Sequence, residues 1–375
     1  MSAALRHRRY PFRGGRARPP RILIARPDHL GDVLLTLPAA SMIRRAIPGA
    51  HVAFLVRPDA AAVPRHCPDV SETLTAPYPS PSADFDREAW QGPAAVVARV
   101  VARGRFDVAI LARPADSWSG AILVAAGVPH RIGYADPATL PYLTEAVPRV
   151  AGRHAAEEAV ALAMRALAVL GVRQPTDPAP VVPPRWRVTP SDIAEADQAL
   201  ARVTEVTGDT PIVLHPGAGW RLKLWPAERW GALAAAIHAR FGVAPLVTAG
   251  PQETLLAARV VECAGGAAVP LPAPVSLGGL AALYQRARVV VATDSGPLHL
   301  AAAVGAPVVG LYGPADPAVS GPLAPAFRAR VVRVSLPCSP CGLVIDPPCG
   351  AIEHPACVTG VDVGSMLAAV AAVLG

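Results

Sequence analysis

The stretch RILIARPDHLGDVLLTLPAASMIRRA, residues 21–46, decides the fold. RILIA (Arg21–Ala25) is an apolar run behind one arginine, short enough for a strand and apolar on both faces. A strand buried inside a parallel sheet has to look like this. RPDHLGD (26–32) then brings proline, glycine and two acids, which make a loop, and the apolar spacing from about Val33 to Ala46 reads as a helix. A strand that passes through a short loop into a helix is the first part of a βαβ unit.

The same alternation recurs along the chain. Further strands are expected at His51–Val56, 106–112, 211–215, 244–249, 288–293 and 307–312. Helices are expected near 93–103, 119–126, 153–170, 191–206, 227–241, 253–263, 277–286, 296–304 and 362–374. Between the two series lies QPTDPAPVVPPR (174–185), whose five prolines exclude a regular helix or a central strand. The chain therefore reads as a basic arm (1–20) and two α/β domains (21–180 and 181–375). Each domain is a Rossmann-like parallel sheet facing a central cleft, and the last helix is free to pack back on the first domain.

The formal charge of +7 is local: Arg6, Arg8, Arg9, Arg13, Arg16, Arg18, Arg21 and Arg26 all precede the first acid, Asp28. The body is close to neutral, so the basic balance does not mark it as a nucleic-acid binder. The arm is either a solvated tail or a segment attracted to anionic lipid headgroups. No apolar segment follows it as a secretory signal requires, and no apolar run reaches the ~18 residues of a membrane span. A cytoplasmic protein is expected, with peripheral contact at the inner membrane face open to the arm.

Of 35 lysine and arginine side chains a single one, Lys223, is lysine, and the chain has no asparagine. Against that background a retained ammonium suggests a role arginine fills poorly, such as a compact point charge on a phosphate. Loops that follow the carboxyl ends of parallel strands are where such folds bind ligands. Four of them carry unusual residues: HLGD with Gly31 and Asp32, HPGAG with Gly217, Ala218 and Gly219, TAGPQE with Glu253, and TDSGPLH with Asp294, Ser295, Gly296 and His299. Small residues opening a helix expose backbone N–H groups to an anion, although an Asp/Ser pair there is also what an ordinary helix cap looks like. Neither a P-loop nor a dinucleotide fingerprint fits, because Lys223 stands between two leucines and Leu222 replaces the third glycine. Asp32, at the start of the first helix, is placed either to take a proton from a hydroxyl or to cap the helix.

Asp84-Phe85-Asp86 has the form of a metal-holding DxD triplet, but it lies in a Pro/Ser-rich loop where acids are usually solvated. Cys338, Cys341, Cys349 and Cys357 begin with a Cys-x2-Cys pair, half of a zinc site; free thiols, a disulfide and structural zinc all remain open.

Residues 30–39 (LGDVLLTLPA), 215–226 (HPGA, then Lys-x-Trp-Pro) and 293–314 (TDSGPLHLAAAVGAPVVGLYGP), in this order, resemble glycosyltransferase family 9, the ADP-heptose:lipopolysaccharide heptosyltransferases. The resemblance covers most of residues 21–375, including the cysteine-rich stretch; the basic arm and residues 76–92 lie outside it. It implies a GT-B architecture, with the acceptor in the first domain and the nucleotide sugar in the second. It also implies inverting transfer of heptose from ADP-heptose to a lipopolysaccharide-core or related glycan acceptor, with no metal or other cofactor. In this resemblance Asp32 matches the catalytic base and Lys223 the lysine on the donor diphosphate. Asp294, Ser295, Gly296 and His299 match the donor loop, Glu253 the group on the nucleotide ribose, and the HPGAG turn the second half of the cradle. Arg113 and Arg131, with Gly31, are the candidates for a phosphorylated, lipid-linked acceptor. Two alternatives stand beside this reading: another nucleotide sugar on the same scaffold, or a binding protein that no longer catalyses.

Overall fold

The computed structural model of the chain describes residues 18–78, 91–172 and 181–375. The triplet at 84–86, most of the basic arm and most of the proline-rich segment lie outside the described residues. The chain forms two compact units, Met1–Ala151 with Ala155–Val182, and Gly152–His154 with Pro183–Gly375.

The first unit runs β1 (Arg21–Ala25), α1 (Leu30–Ala46), β2 (His51–Val56), α2 (Ala62–Arg65), β3 (Glu72–Thr75), α3 (Gln91–Arg103), β4 (Val108–Leu111), α4 (Ser117–Ala125), β5 (His130–Tyr134), β6 (Glu145–Val147) and α5 (Ala155–Val169). Its six strands are parallel, in the order β3-β2-β1-β4-β5-β6. β1 takes the centre because Ile22, Leu23, Ile24 and Ala25 have apolar side chains for both faces, and all four are fully buried. On one face Leu23, Leu55, Phe106, Leu111, Trp118 and Ile122 form a core. The flanking strands β3, β5 and β6 were not expected from sequence; β3 and β6 are short, partly exposed and polar, so they lack the apolar run that marks a strand.

The second unit runs α6 (Pro190–Leu200), α7 (Thr204–Thr207), β7 (Ile212–His215), α8 (Ala227–Phe241), β8 (Leu246–Val247), α9 (Thr254–Cys263), β9 (Val269–Pro270), α10 (Leu277–Arg286), β10 (Val289–Thr293), α11 (Gly296–Ala303), β11 (Val308–Leu311), α12 (Pro317–Ser320), β12 (Ala329–Val332), α13 (Ala356–Thr359) and α14 (Val363–Leu374). The helix expected over 191–206 is two helices, α6 and α7. The strands again lie parallel, in the order β12-β11-β10-β7-β8-β9. The last helix, expected to be free to return to the first domain, packs on α8 and on β10, β11 and β12 of its own unit. Met366 and Val370 carry that packing, since they belong to the same buried cluster as Trp225, Trp230 and Leu311.

Both sheets follow one scheme: the first-formed strand lies centrally, the next two extend the sheet to one side, and the remaining three extend it to the other. The order reverses between β1 and β4 in one sheet and between β7 and β10 in the other. At such a reversal the loops leaving the carboxyl ends of neighbouring strands diverge, and the crevice between them is where a ligand binds.

One buried side chain anchors the loop that bears Lys223. Trp225 is fully buried, packs edge-on against Trp230 with ring centroids 5.3 Å apart, and donates its indole N–H to the Val361 carbonyl at 3.2 Å. Trp225→Ala is expected to destabilise the protein by about 3–5 kcal/mol, the usual range for emptying an aromatic site. Urea denaturation checks this; a midpoint unchanged from the parent would show that the loop needs no such anchor.

Candidate active site

In the second unit the crevice between β7 and β10 brings two loops together. Thr293, the last residue of β10, donates its hydroxyl to the Gly217 carbonyl at 2.7 Å and so ties the turn after β7 to the start of α11. After that turn the chain makes one turn of 3-10 helix, Arg221–Lys223. The Lys223 ammonium then lies 2.6 Å from Asp294 Oδ2. His299 Nε2 lies 3.8 Å from the other carboxylate oxygen. Burial pushes the Asp294 carboxyl up, but the nearby His299 ring and the charge of Lys223 outweigh it and hold it below the usual carboxylate range. Asp294, puzzling beside a phosphate when read from sequence alone, is therefore the counter-ion that fixes Lys223 in place.

The helix that starts there keeps polar atoms unpaired. Ser295 is the N-cap of α11, yet its side chain makes no capping bond. The cap expected for an Asp/Ser pair is thus not made. The Ser295 hydroxyl and His299 Nδ1 are both buried without a hydrogen-bond partner. Buried polar atoms are nearly always paired, so each unpaired one needs an explanation. Here one belongs to the N-cap and the other to the first turn of α11, whose own N–H groups and dipole favour an anion.

Glu253 completes this crevice. It is the N-cap of α9 but does not cap it. Its Oε2 instead accepts from the Gly250 N–H at 2.7 Å and lies 3.2 Å from His215 Nε2. A Cβ at Gly217 would stand 2.0 Å from the Glu253 carboxyl carbon, so only glycine leaves room for the carboxylate. Burial raises the Glu253 carboxyl; the bonds and charge of His215 and the Gly250 N–H more than compensate, and the net shift is downward. Gly219, by contrast, is exposed and has open space where a side chain would go, and Ala218 is partly exposed between the two glycines.

In the first unit the crevice between β1 and β4 collects charge. Asp32 lies in the first turn of α1 beside Gly31, and the N-cap is His29, so Asp32 is not the cap. Its Oδ1 accepts from Arg26 at 3.0 Å, and its side chain remains 40% exposed. Arg26 also pairs with Asp28 at 3.2 Å and donates to the Ala112 carbonyl at the end of β4. Arg113 approaches Asp28 at 3.6 Å and lies over the Tyr78 ring, 4.9 Å from its centroid. The Tyr78 hydroxyl donates to Asp116 at 2.8 Å. Burial raises the Asp28 carboxyl, Arg26 and Arg113 pull it down, Asp32 pushes it up again, and the net shift is upward.

Arg131 does not belong to this group. It was expected after a strand, but it lies near the start of β5, one residue in, and not at the carboxyl end where the crevice opens. Its guanidinium is spent on backbone, donating to the Tyr142 carbonyl at 2.6 Å and the Val128 carbonyl at 2.5 Å.

Arg26, Asp28 and His215 are the residues that sequence reasoning missed. Arg26 was counted with the basic arm, although it stands in the same strand-to-helix loop as Asp32. His215 was read only as part of a glycine turn, although a histidine closing a buried apolar strand is itself a signal.

The four clustered cysteines are free thiols and line one small cavity of about 10 Å³ beside Leu222 and Pro314. Burial, reinforced by Cys341 and Cys349, pushes the Cys357 thiol up. Among the described residues no three His, Cys, Asp or Glu side chains are grouped as a metal ion would need. No described helix is long and apolar enough to cross a membrane.

Comparison with known proteins shows what the chain is similar to. Lipopolysaccharide heptosyltransferase 1 of Pseudomonas aeruginosa is 28% identical over 332 residues, which are 86% of each chain. The solved structure of E. coli ADP-heptose lps heptosyltransferase II has a TM-score of 0.74 at 20% identity, over 94% of this chain and 98% of that one. E. coli heptosyltransferase WaaC, solved with ADP-2-deoxy-2-fluoro heptose, has a TM-score of 0.62 at 24% identity, over 84% of this chain and 93% of that one. The fold is thus of the GT-B type. The model of glycosyltransferase family 9 (heptosyltransferase) matches residues 95–344, a span that enters both units. On that match the chain belongs to glycosyltransferase family 9 and is a glycosyltransferase.

Proposed function

We propose that the protein transfers heptose from ADP-heptose to a lipopolysaccharide-core or related glycan acceptor, with inversion and without a metal. The observation that carries the reading is the Lys223–Asp294 pair at the start of α11, beside the unpaired Ser295 hydroxyl and His299 Nδ1. An ammonium fixed in place, a helix N-terminus and an unpaired hydroxyl are what a leaving diphosphate needs as negative charge builds on it. The names of the relatives point to the same donor and acceptor.

In this reading the second unit binds the donor. Lys223, Ser295, the Gly296 N–H and His299 hold the diphosphate, the turn Gly217–Ala218–Gly219 admits it closely, and Glu253 accepts hydrogen bonds from the ribose hydroxyls. The first unit binds the acceptor, with Gly31 leaving space beside Asp32 and Arg113 attracting acceptor phosphate. Arg26 holds Asp32 Oδ1 and leaves Oδ2 to accept the proton of the attacking hydroxyl. The acceptor oxygen forms its bond to the anomeric carbon on one face as the bond to the phosphate oxygen breaks on the other, and ADP leaves. One carboxylate base and one stabilised leaving group suffice for a single displacement with inversion. The basic arm is read as a contact for anionic lipid at the membrane where a lipid-linked acceptor resides.

Calorimetric titration of the full chain with ADP, GDP and UDP, without added metal, tests the reading. ADP is expected to bind in the micromolar range and at least about tenfold more tightly than the others, a difference of ~1.4 kcal/mol. Preference for UDP or GDP would keep the transferase and reject the heptose donor. Absence of binding to all three would leave a protein that no longer handles nucleotide sugars.

A further inference from the structure

The carboxylate of Glu253 is held in an unusual way for its place in the chain. Side chains that cap a helix well are short (Ser, Thr, Asp, Asn), and such a bond contributes about 0.5–2 kcal/mol. Glu253, one methylene longer than Asp, makes no capping bond and reaches toward β7. Both of its partners, the Gly250 N–H and His215 Nε2, engage Oε2. Oε1 is left over, on a side chain that remains 23% exposed.

His215 cannot itself touch a ligand, being 1% exposed. It is gripped from behind. Nδ1 lies 3.0 Å from the Thr248 hydroxyl and 3.2 Å from the Tyr284 hydroxyl, and those two hydroxyls are 3.3 Å apart. Tyr284 is fully buried, and burial raises its phenol well above the ordinary value, so it keeps its proton. Because a carboxylate only accepts, the proton between the two groups sits on Nε2 and is donated to Glu253, while the Thr248 and Tyr284 hydroxyls hold Nδ1 on the other side of the ring. The chain of contacts thus runs from Tyr284 through His215 to one oxygen of the carboxylate.

We propose that His215 is a positioning residue for donor recognition: through Nε2 it locks Glu253 so that Oε1 faces a vicinal diol, the 2′- and 3′-hydroxyls of the nucleotide ribose. The proposal rests on the reading of Glu253 as the ribose-binding group and adds the device that orients it. Gly217 belongs to the same device, because any side chain there would occupy the space of the locked carboxylate. A carboxylate free to rotate would lose most of its advantage, since ordering it would then oppose binding.

The test is a ligand-by-variant comparison in calorimetry, using the full chain with ADP and with 2′,3′-dideoxy-ADP. The parent should bind ADP about 10–100-fold more tightly than the dideoxy compound, the range expected for hydrogen bonds to a charged group. His215→Phe should shrink that gap to about threefold or less while barely changing dideoxy-ADP binding, because only the diol interaction is lost. His215→Gln, which keeps an N–H donor near the carboxylate, should restore part of the gap. Tyr284→Phe removes one of the two hydroxyls at Nδ1 without altering Glu253, and should shrink the gap less; it carries the test if His215→Phe fails to fold. Equal weakening of both ligands by these variants would mean a merely structural role and would overturn the proposal. Glu253→Ala separates the two levels. If it closes the gap while the His215 and Tyr284 variants leave it open, the positioning role falls and the ribose role stands. If Glu253→Ala leaves the gap intact, the ribose role itself falls, and the positioning role with it.

Discussion

Lys223→Ala is expected to weaken ADP binding about a hundredfold or more, with transfer reduced further still. Two effects add. The first is loss of the charge-assisted contact to the diphosphate; truncating one partner of a desolvated charge pair costs about 2–5 kcal/mol. The second lies in the free protein. Asp294 is buried and ionised because Lys223 stands 2.6 Å away and His299 supports the other oxygen. Without the ammonium, a carboxylate is left beside the place where two phosphates must sit, and like charges repel. A Lys223→Ala, Asp294→Asn protein should therefore bind ADP more tightly than Lys223→Ala alone, an inversion that simple loss of a contact does not produce. Lys223→Arg keeps the charge but not its compact shape, and should recover only part of the affinity. Titration of the four proteins with ADP decides the matter; ADP affinity unchanged in Lys223→Ala would remove the lysine from the diphosphate site.

The second large effect falls on rate alone. Asp32→Asn should lower transfer by about a thousandfold, within the ~10²–10⁴ range for loss of a general base, and leave ADP affinity within about threefold. Asparagine retains the oxygen that accepts from Arg26, so the loop keeps its anchoring and only the proton acceptor is lost. That separation is what makes the variant informative. Steady-state transfer from ADP-heptose, measured beside ADP titration, reads both quantities. Near-normal transfer would reduce Asp32 to an acid in the first turn of α1, and a parallel loss of ADP affinity would place it at the donor instead.

Much of the scaffold can be read along the chain. Helices α8 and α10 fall at the expected residues, because each presents a steady apolar stripe; α8 stops at the left-handed Gly242, and α10 at Ala287, where the backbone turns extended into β10. β9 is a different case: it is only Val269–Pro270, and β12 is four residues of which none is fully buried. Their strand character comes from the neighbours they pair with, which no local window contains. The same holds for strand order, set by contacts between distant segments.

The site divides along the same line. Lys223, Asp294, Ser295 and His299 could be singled out because strand, small-residue turn and helix follow one another in sequence. That Asp294 neutralises Lys223 and that Glu253 leans on His215 across a gap kept by Gly217 are facts of folding, since each joins separate loops; that Arg26 holds Asp32 depends on how one loop turns back on itself. Arg131 shows the reverse error: its residue type suited an anion, and its backbone placement gave it carbonyls to hold instead.

The strand order of the two sheets has a consequence for how the chain is made. In each sheet the central pair joins distant segments: Ile22 lies against Val108, and Ile212 against Val289. As the chain leaves the ribosome, β1, β2 and β3 can align early, yet the inner edge of β1 stays open until β4 has emerged. β7 waits in the same way for β10. Ile22–Ala25 and Ile212, Val213 and Leu214, fully buried in the finished sheets, are exposed along those open edges, and unpaired apolar edges invite pairing with another chain. Parallel sheets closed by such distant partners also form slowly. During synthesis each half therefore passes through a period in which its future ligand crevice is an exposed, adhesive seam, and a protein that shields nascent chains should matter most while residues 26–107 and 216–288 are being made.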